Sequence, residues 1–134
     1  VREGWIGEGE ITYAGLGCLN RARLAEQVVR KRIEIARIQL QELRVDYIGL
    51  NSLHGDASIP PKEPPYEVRL RFAGRALNKR DAVRLGNEVE TLVGKGPCSS
   101  SLPRQYVREV LAIYSCLIPR SAVRPEVVFA SAQR

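Results

Sequence analysis

Methionine is absent from the 134 residues, histidine and tryptophan each occur once, and phenylalanine occurs twice. The three cysteines, Cys18, Cys98 and Cys116, are far apart, and no Cys-x-x-Cys pair is present. A structural zinc site draws four thiolates or imidazoles from closely spaced pairs. No metal site is therefore expected, and reduced thiols in a cytoplasmic protein are the simpler reading of an odd, scattered cysteine set. No apolar run approaches the roughly 18 residues of a membrane-spanning helix, and no charged-then-apolar leader opens the chain, so no membrane partner is expected. The chain opens on Val1 with no methionine anywhere, which leads us to expect a piece of a longer protein, with chemical groups lying in the remainder.

What is present is ordinary for a globular fold: 44% hydrophobic and 27% charged residues. A chain of this length buries roughly two thirds of its unfolded surface, so one α+β domain over 1–134 needs neither disulfide nor metal. The net charge is +6. Such a surface attracts nucleic acid, anionic lipid or phosphorylated ligands. Here, however, the basic residues are interleaved with acids. Glu26, Arg30 and Glu34 recur at four-residue spacing, which suits a solvated helix face.

The elements follow from periodicity. "EGEITYAG" (8–15) reads as a strand between glycines. Ala22, Ala25, Val29, Ile33 and Ala36 then recur at helical spacing, with Leu24 and Val28 widening the stripe, Asn20 as N-cap and an end near Leu40. "RVDYIGLN" (44–51) is an apolar strand for the sheet interior. "GDASIPPKEPPYE" (55–67) holds four prolines and reads as a long surface connection. "EVRLRFAG" (67–74) alternates, with Val68, Leu70 and Phe72 on one face and Glu67, Arg69 and Arg71 on the other. Asn78 caps a second helix with Asp81 in its first turn and Ala82, Leu85, Val89 and Leu92 as its buried stripe. Gly94 suits the left-handed position after a helix. "VREVLAIYSCLI" (107–118) and "EVVFA" (126–130) read as a closing hairpin. The order β-α-β-β-α-β-β predicts an α/β (α+β) fold of ferredoxin-like type, with two helices on one face of a largely antiparallel sheet.

The chemistry-bearing residues are few. "LVGKGPCSSSLPRQ" (92–105) has the composition of a phosphate cradle. It follows a helix rather than preceding one, so the dipole end is the wrong one for a Walker-type loop. A C-cap followed by a connector is the plain reading. A backbone nest using Gly96 and Ser99 with Lys95 and Arg104 as cations is the sharper one. Cys98 as a nucleophile would need His54, the sole imidazole, as its base. "NSLHG" (51–55) ends a strand, where ligands often bind, so Asn51 and Ser52 are further ligand-binding candidates beside His54. Glu8 and Glu10 share a strand face; alternating charges of this kind more often mark a wet face than an acid–base pair. RNA recognition on such a sheet needs exposed aromatics on its central strands; with Phe72 patterned inward and Tyr114 alone on the long strand, nucleic acid is disfavoured.

Taken together, "GWIGEGEITYAG", "RARLAEQVVRKR", "RVDYIGLNSLHG", "EVRLRFAGRA" and "VREVLAIYSCLIPRSAVRPEV" resemble the acyclic terpene utilisation (AtuA-type) family, in the C-terminal part of its main conserved region. The resemblance implies an N-terminal α/β domain of the same bacterial protein as a partner. It also implies a role in the breakdown of citronellol- and geraniol-type compounds through CoA thioesters, with no established catalytic list to carry over. Relatives tend to have a glycine-rich run where this chain has Ser99 to Ser101, and "YAGPG" where it has "YAGLG" with Leu16. Serines hold a backbone farther from an anion than glycines do.

Two functions from different classes remain open on these grounds, with nucleic-acid binding as a third, weaker option that would show affinity falling steeply with salt. The first is a catabolic domain that takes an acyl or acyl-CoA ligand, with 51–55 and 94–104 forming one wall of a site completed elsewhere and no cofactor identified. The second is a structural or homo-oligomerisation module that pairs through the 107–130 hairpin.

Overall fold

The computed structural model describes residues 1–130; the domain expected over 1–134 therefore includes four residues outside the described ones. The elements are β1 (Arg2–Ala14), α1 (Cys18–Ile35), β2 (Glu42–Ile48), β3 (Glu67–Ala76), α2 (Lys79–Glu90), the short α3 (Leu92–Lys95) and β4 (Arg104–Leu111). The four strands form one sheet in the order β2-β3-β1-β4, antiparallel at every junction. Each β-α-β unit skips a strand. α1 carries the chain from β1 past β3 to β2, and α2 carries it from β3 past β1 to β4. This interleaving is α+β and consistent with a ferredoxin-like arrangement, with the two helices side by side on one face.

The apolar periodicities explain which face is covered. Val68, Leu70 and Phe72 of β3 and Ile11 and Tyr13 of β1 are fully buried. Ala22, Ala25 and Val29 of α1 and Leu85 and Val89 of α2 pack onto them as one core, which Leu92 closes. Asn78 caps α2 through its side-chain oxygen, which accepts the Asp81 N–H at 2.9 Å. The Asp81 carboxyl is held below its usual range, first by the Asn78 side-chain hydrogen bond and then by Arg84. Across the helix pair, Arg32 bonds Glu88 at 2.6 Å.

Glycines decide how close α2 comes. A Cβ at Gly7 would overlap the Ala82 backbone, and one at Gly9 would lie 2.6 Å from a Val89 methyl. Two residues without side chains on the inner face of β1 thus let α2 rest almost on the strand backbone.

Several boundaries differ from the sequence expectation. α1 begins at Cys18, two residues before Asn20, because Gly17 takes a left-handed φ of 71° and serves as the cap residue. The Arg21 guanidinium bonds the Ala14 and Leu16 carbonyls and holds that turn. The helix stops at Ile35, short of Leu40, where Arg37 turns the chain with a φ of 51°. Leu24 is exposed rather than part of the stripe. β2 lies at an edge, not in the interior, since β3 occupies the place beside β1. Gly94 sits inside α3 and does not adopt the left-handed cap conformation.

The largest difference is at the C-terminal end. The strand expected over 107–118 spans Arg104–Leu111, and residues 126–130 form no strand, so the 107–130 hairpin is absent. β4 follows β1 as far as Val1 and Ala112, which exchange backbone hydrogen bonds at 2.9 Å. Beyond that pair the chain has no neighbouring strand, and Pro119 and Pro125 remove ladder donors from the expected hairpin. Residues 112–130 carry one 3-10 turn, Arg120–Ala122. No helix among the described residues is long and apolar enough to cross a membrane.

The glycine seam has a measurable consequence. Gly7→Ala forces α2 off the strand, and we expect urea unfolding to show a loss of about 2–3 kcal/mol. Gly94→Ala, which meets open space inside a helix, should leave the midpoint unchanged or raise it by up to about 1 kcal/mol. Equal effects for the two would contradict the seam.

Candidate functional site

The 49–66 connection is a folded loop rather than a slack one. Gly49 takes a φ of 97° at the end of β2, and the Leu50 and Asn51 amides both donate to the Tyr47 carbonyl. Asn51 Oδ1 accepts the Tyr47 N–H at 3.3 Å, and its own carbonyl accepts from Gly55 at 2.8 Å. A 3-10 turn follows at Gly55–Ala57, and the two proline pairs then keep the chain extended. The far end is tied down over the start of α1. The Cys18 thiol donates to the Pro65 carbonyl at 3.1 Å, and the Gly15 N–H donates to Tyr66 at 2.7 Å.

Between this loop and the first two turns of α1 lies a cavity of about 490 Å³. Leu19, Leu50, Ile59 and the four prolines supply its apolar lining. Arg23, Lys62, Asp56 and Glu63 also line it, and none of the four makes a salt bridge among the described residues. The volume lies within the roughly 300–1,000 Å³ of small-molecule sites. Below it, Tyr47 donates to Glu26, which also holds Arg30 at 2.7 Å. Burial and that carboxylate keep the Tyr47 hydroxyl protonated far above the usual phenol range. A second hollow of about 470 Å³ on the other side of the loop is lined by Leu50, His54 and Ile59.

The sequence candidates are distributed over one end of the sheet. Asn51 lines the main cavity, but its side chain is engaged with the backbone of Tyr47. The Ser52 carbonyl accepts from Arg44 at 2.9 Å. His54 is exposed and borders the second hollow. Lys95 ends α3, and the Gly96 amide donates to the Leu92 carbonyl. Ser99 has a left-handed φ of 59°, and its carbonyl accepts from Ala14 at 3.4 Å. Arg104 opens β4 beside a hollow of about 20 Å³. β3 and β1 therefore stand between 51–55 at the end of β2 and 96–104 beside β1. Cys98 is exposed, and no hydrogen bond joins it to His54. Among the described residues no group of three or more His, Cys, Asp or Glu side chains is placed to hold a metal ion.

The open face of the sheet carries a second cluster. Arg71 sits at its centre, 2.7 Å from Glu8, 3.0 Å from Asp46 and 3.7 Å from Glu10. Arg69 reaches Glu10 at 3.5 Å, Arg108 reaches Glu8 at 3.4 Å, and Arg44 reaches Asp46 at 2.8 Å. Each arginine in this lattice faces at least one carboxylate, so the face presents little unbalanced charge to a phosphate backbone. Glu8 and Glu10 were legible as a same-face pair, but Asp46 was not. The arginine alternation in "EVRLRFAG" was the signal that such a lattice would form. For the cavity, the missed residues are Leu19, Arg23, Ile59 and Lys62. An isoleucine ahead of two proline pairs was the available hint that the loop packs on something.

A family model described as "Acyclic terpene utilisation family protein AtuA" matches residues 1–129 of the chain. No curated protein matches it. Among solved structures the chain is similar to "De novo designed protein Foldit4", with 16% identity over 83% of this chain and 100% of that chain and a TM-score of 0.44.

Two outcomes follow from these side chains. Arg71→Ala takes from Glu8, Glu10 and the buried Asp46 the one guanidinium they share and should cost about 1–2 kcal/mol, whereas Arg108→Ala removes an exposed pair worth less than about 1 kcal/mol. Denaturant midpoints of the two variants test this, and an equal loss would show that Arg71 is not the hub. The Tyr13 hydroxyl is buried without a partner, and burial pushes it up to about 12 from its ordinary 10.0. The folded state thus holds this proton after the unfolded chain releases it. The stability it contributes is complete below pH 10 and is lost as the pH rises towards 12. Tyr13→Phe should therefore flatten the alkaline decline and leave stability at neutral pH unchanged or higher by up to about 1 kcal/mol.

Proposed function

This chain belongs to the acyclic terpene utilisation family, and on that premise we propose that it binds the acyl part of an isoprenoid acid or its CoA thioester in the cavity beneath the proline loop. The observation that carries the reading is the cavity itself. An apolar interior of about 490 Å³ is bordered by two cations, Arg23 and Lys62, that make no salt bridge among the described residues. A branched hydrocarbon chain gains roughly 0.8 kcal/mol for each methylene it buries there, while an ionised head or a CoA phosphate has Arg23 and Lys62 within reach at the rim. Asp56 and Glu63 on the same border favour a ligand with one localised negative group over a densely charged one.

In this reading the domain supplies binding and orientation, and the reacting groups come from the rest of the protein. Asn51 shapes the loop rather than touching the ligand, because its side chain already serves the turn after β2. His54 borders the neighbouring hollow rather than the cavity itself. The connector carrying Lys95, Gly96, Ser99 and Arg104 lies at the same end of the sheet, where a CoA tail extending from the cavity would pass.

Calorimetric titration with citronellic acid, octanoyl-CoA and free CoA tests this. The acid and the thioester should bind and free CoA alone should not. Ile59→Asp, which puts a charge in the cavity lining, should weaken both by about tenfold or more, equivalent to about 1.4 kcal/mol. Arg23→Ala should weaken them less. Absence of heat at millimolar ligand, or binding untouched by Ile59→Asp, would refute the assignment.

A further inference from the structure

We infer that Leu19 is the partition that sets how long an acyl chain the main cavity accepts, an assignment that rests on that cavity binding an acyl ligand. A further hollow of about 220 Å³ adjoins the cavity at the start of α1. The two spaces have Leu19, Pro64 and Pro65 in common. Gly17 and Cys18, just before Leu19, border the side hollow and not the main cavity. Arg23, one helical turn after Leu19, borders the main cavity and not the side hollow. Leu19 therefore stands between the two on the helix side, and the proline pair spans both on the loop side.

The three shared residues differ in how far they can yield. The proline rings fix their own backbone, and the Pro65 carbonyl is held by the Cys18 thiol at 3.1 Å. Leu19 is bound by neither restraint. It is half-buried, and it stands outside the core cluster beneath the helices, to which α1 contributes Cys18, Ala22, Ala25 and Val29. It is thus the one shared wall that can be cut back without loosening the fold.

The two spaces also differ in charge. Arg23, Lys62, Asp56 and Glu63 border the main cavity, whereas no charged residue lines the side hollow. An ionised head therefore finds its partners only at the main cavity. The side hollow, walled by Cys18, Leu19 and two prolines with the exposed Asn20 beside them, suits the apolar end of a chain. Each methylene that reaches an apolar wall tightens binding about fourfold. With Leu19 in place that gain stops once the main cavity is full. Without it the chain end runs on into the side hollow.

Calorimetric titration with hexanoate, octanoate, decanoate, dodecanoate and tetradecanoate tests this. For the wild type, affinity should climb along the series and then level off. Leu19→Ala should carry the climb at least one acid further, so that it binds the longest acid about tenfold or more tighter than the wild type does. Asn20→Trp fills the side hollow alone; it should leave the wild-type profile as it is and return the Leu19→Ala profile to that of the wild type. Circular dichroism should report the same fold for all variants. A wild-type profile that never levels off, a Leu19→Ala profile that levels off where the wild type does, or a longer reach that Asn20→Trp does not remove would overturn the partition and leave the ligand site standing. No heat with any acid would overturn the ligand site and the partition together.

Discussion

The close approach of α2 to β1 is the constraint on which the rest of this structure depends. Gly7 and Gly9 leave the inner face of β1 without side chains where Ala82 and Val89 come down. With α2 seated there, Leu85 and Val89 join Phe72 and Leu70 in one buried cluster, and the core needs no bulky residue at positions 7 and 9 of β1. Beside α2, the buried residues of α1 are Cys18, Ala22, Ala25 and Val29, none larger than valine. Both helices are therefore held at short distance, and the covered face is filled by a modest set of apolar residues. This suits a chain with one tryptophan and two phenylalanines.

Placing both helices on one side leaves the other side of the sheet to water. The chain fills that side with arginine and carboxylate in near balance around Arg71. Individually such pairs are worth little when exposed. Here the carboxylates are mostly covered by the guanidinium groups above them, so the lattice works as a unit whose members cannot be removed one at a time without leaving charge unpaired. The same balance limits what the face can attract. The net positive charge of the chain resides instead on cations that make no salt bridge among the described residues, such as Arg23, Arg37, Arg80 and Lys95, and Arg120 and Arg124 in the C-terminal segment.

The loop cavity exists because the strand-to-helix turn before α1 is fixed from two sides. Gly17 allows the left-handed entry, and Arg21 caps the carbonyls of Ala14 and Leu16 from inside the helix. Cys18 and Gly15 then hold the returning end of the proline loop. Prolines give that loop a stiff, extended course, so it bridges over Leu19 and Arg23 instead of collapsing on them. A hollow is what remains between a rigid span and a helix end.

The types of β1, α1, β2, β3 and α2 and most of their inward residues were determined by the sequence alone, whereas Leu24 and residues 126–130 were not. Period-two alternation in "EVRLRFAG" and period-3.6 spacing in Ala82, Leu85 and Val89 are local properties, and they specified which side of each element is buried. Asn78 as a cap was likewise written in four consecutive residues. Only the tertiary structure decided what depends on neighbours far along the chain. β2 became an edge because β3 won the place next to β1. Residues 126–130 stayed unpaired because β4 found its partner in β1 and no further described strand joins its other side. The cavity residues Leu19 and Ile59 are 40 positions apart, and no periodicity connects them. Asp46 joined Glu8 around Arg71 through strand order, which short-range patterns do not encode, since pairing register is settled by the whole sheet at once.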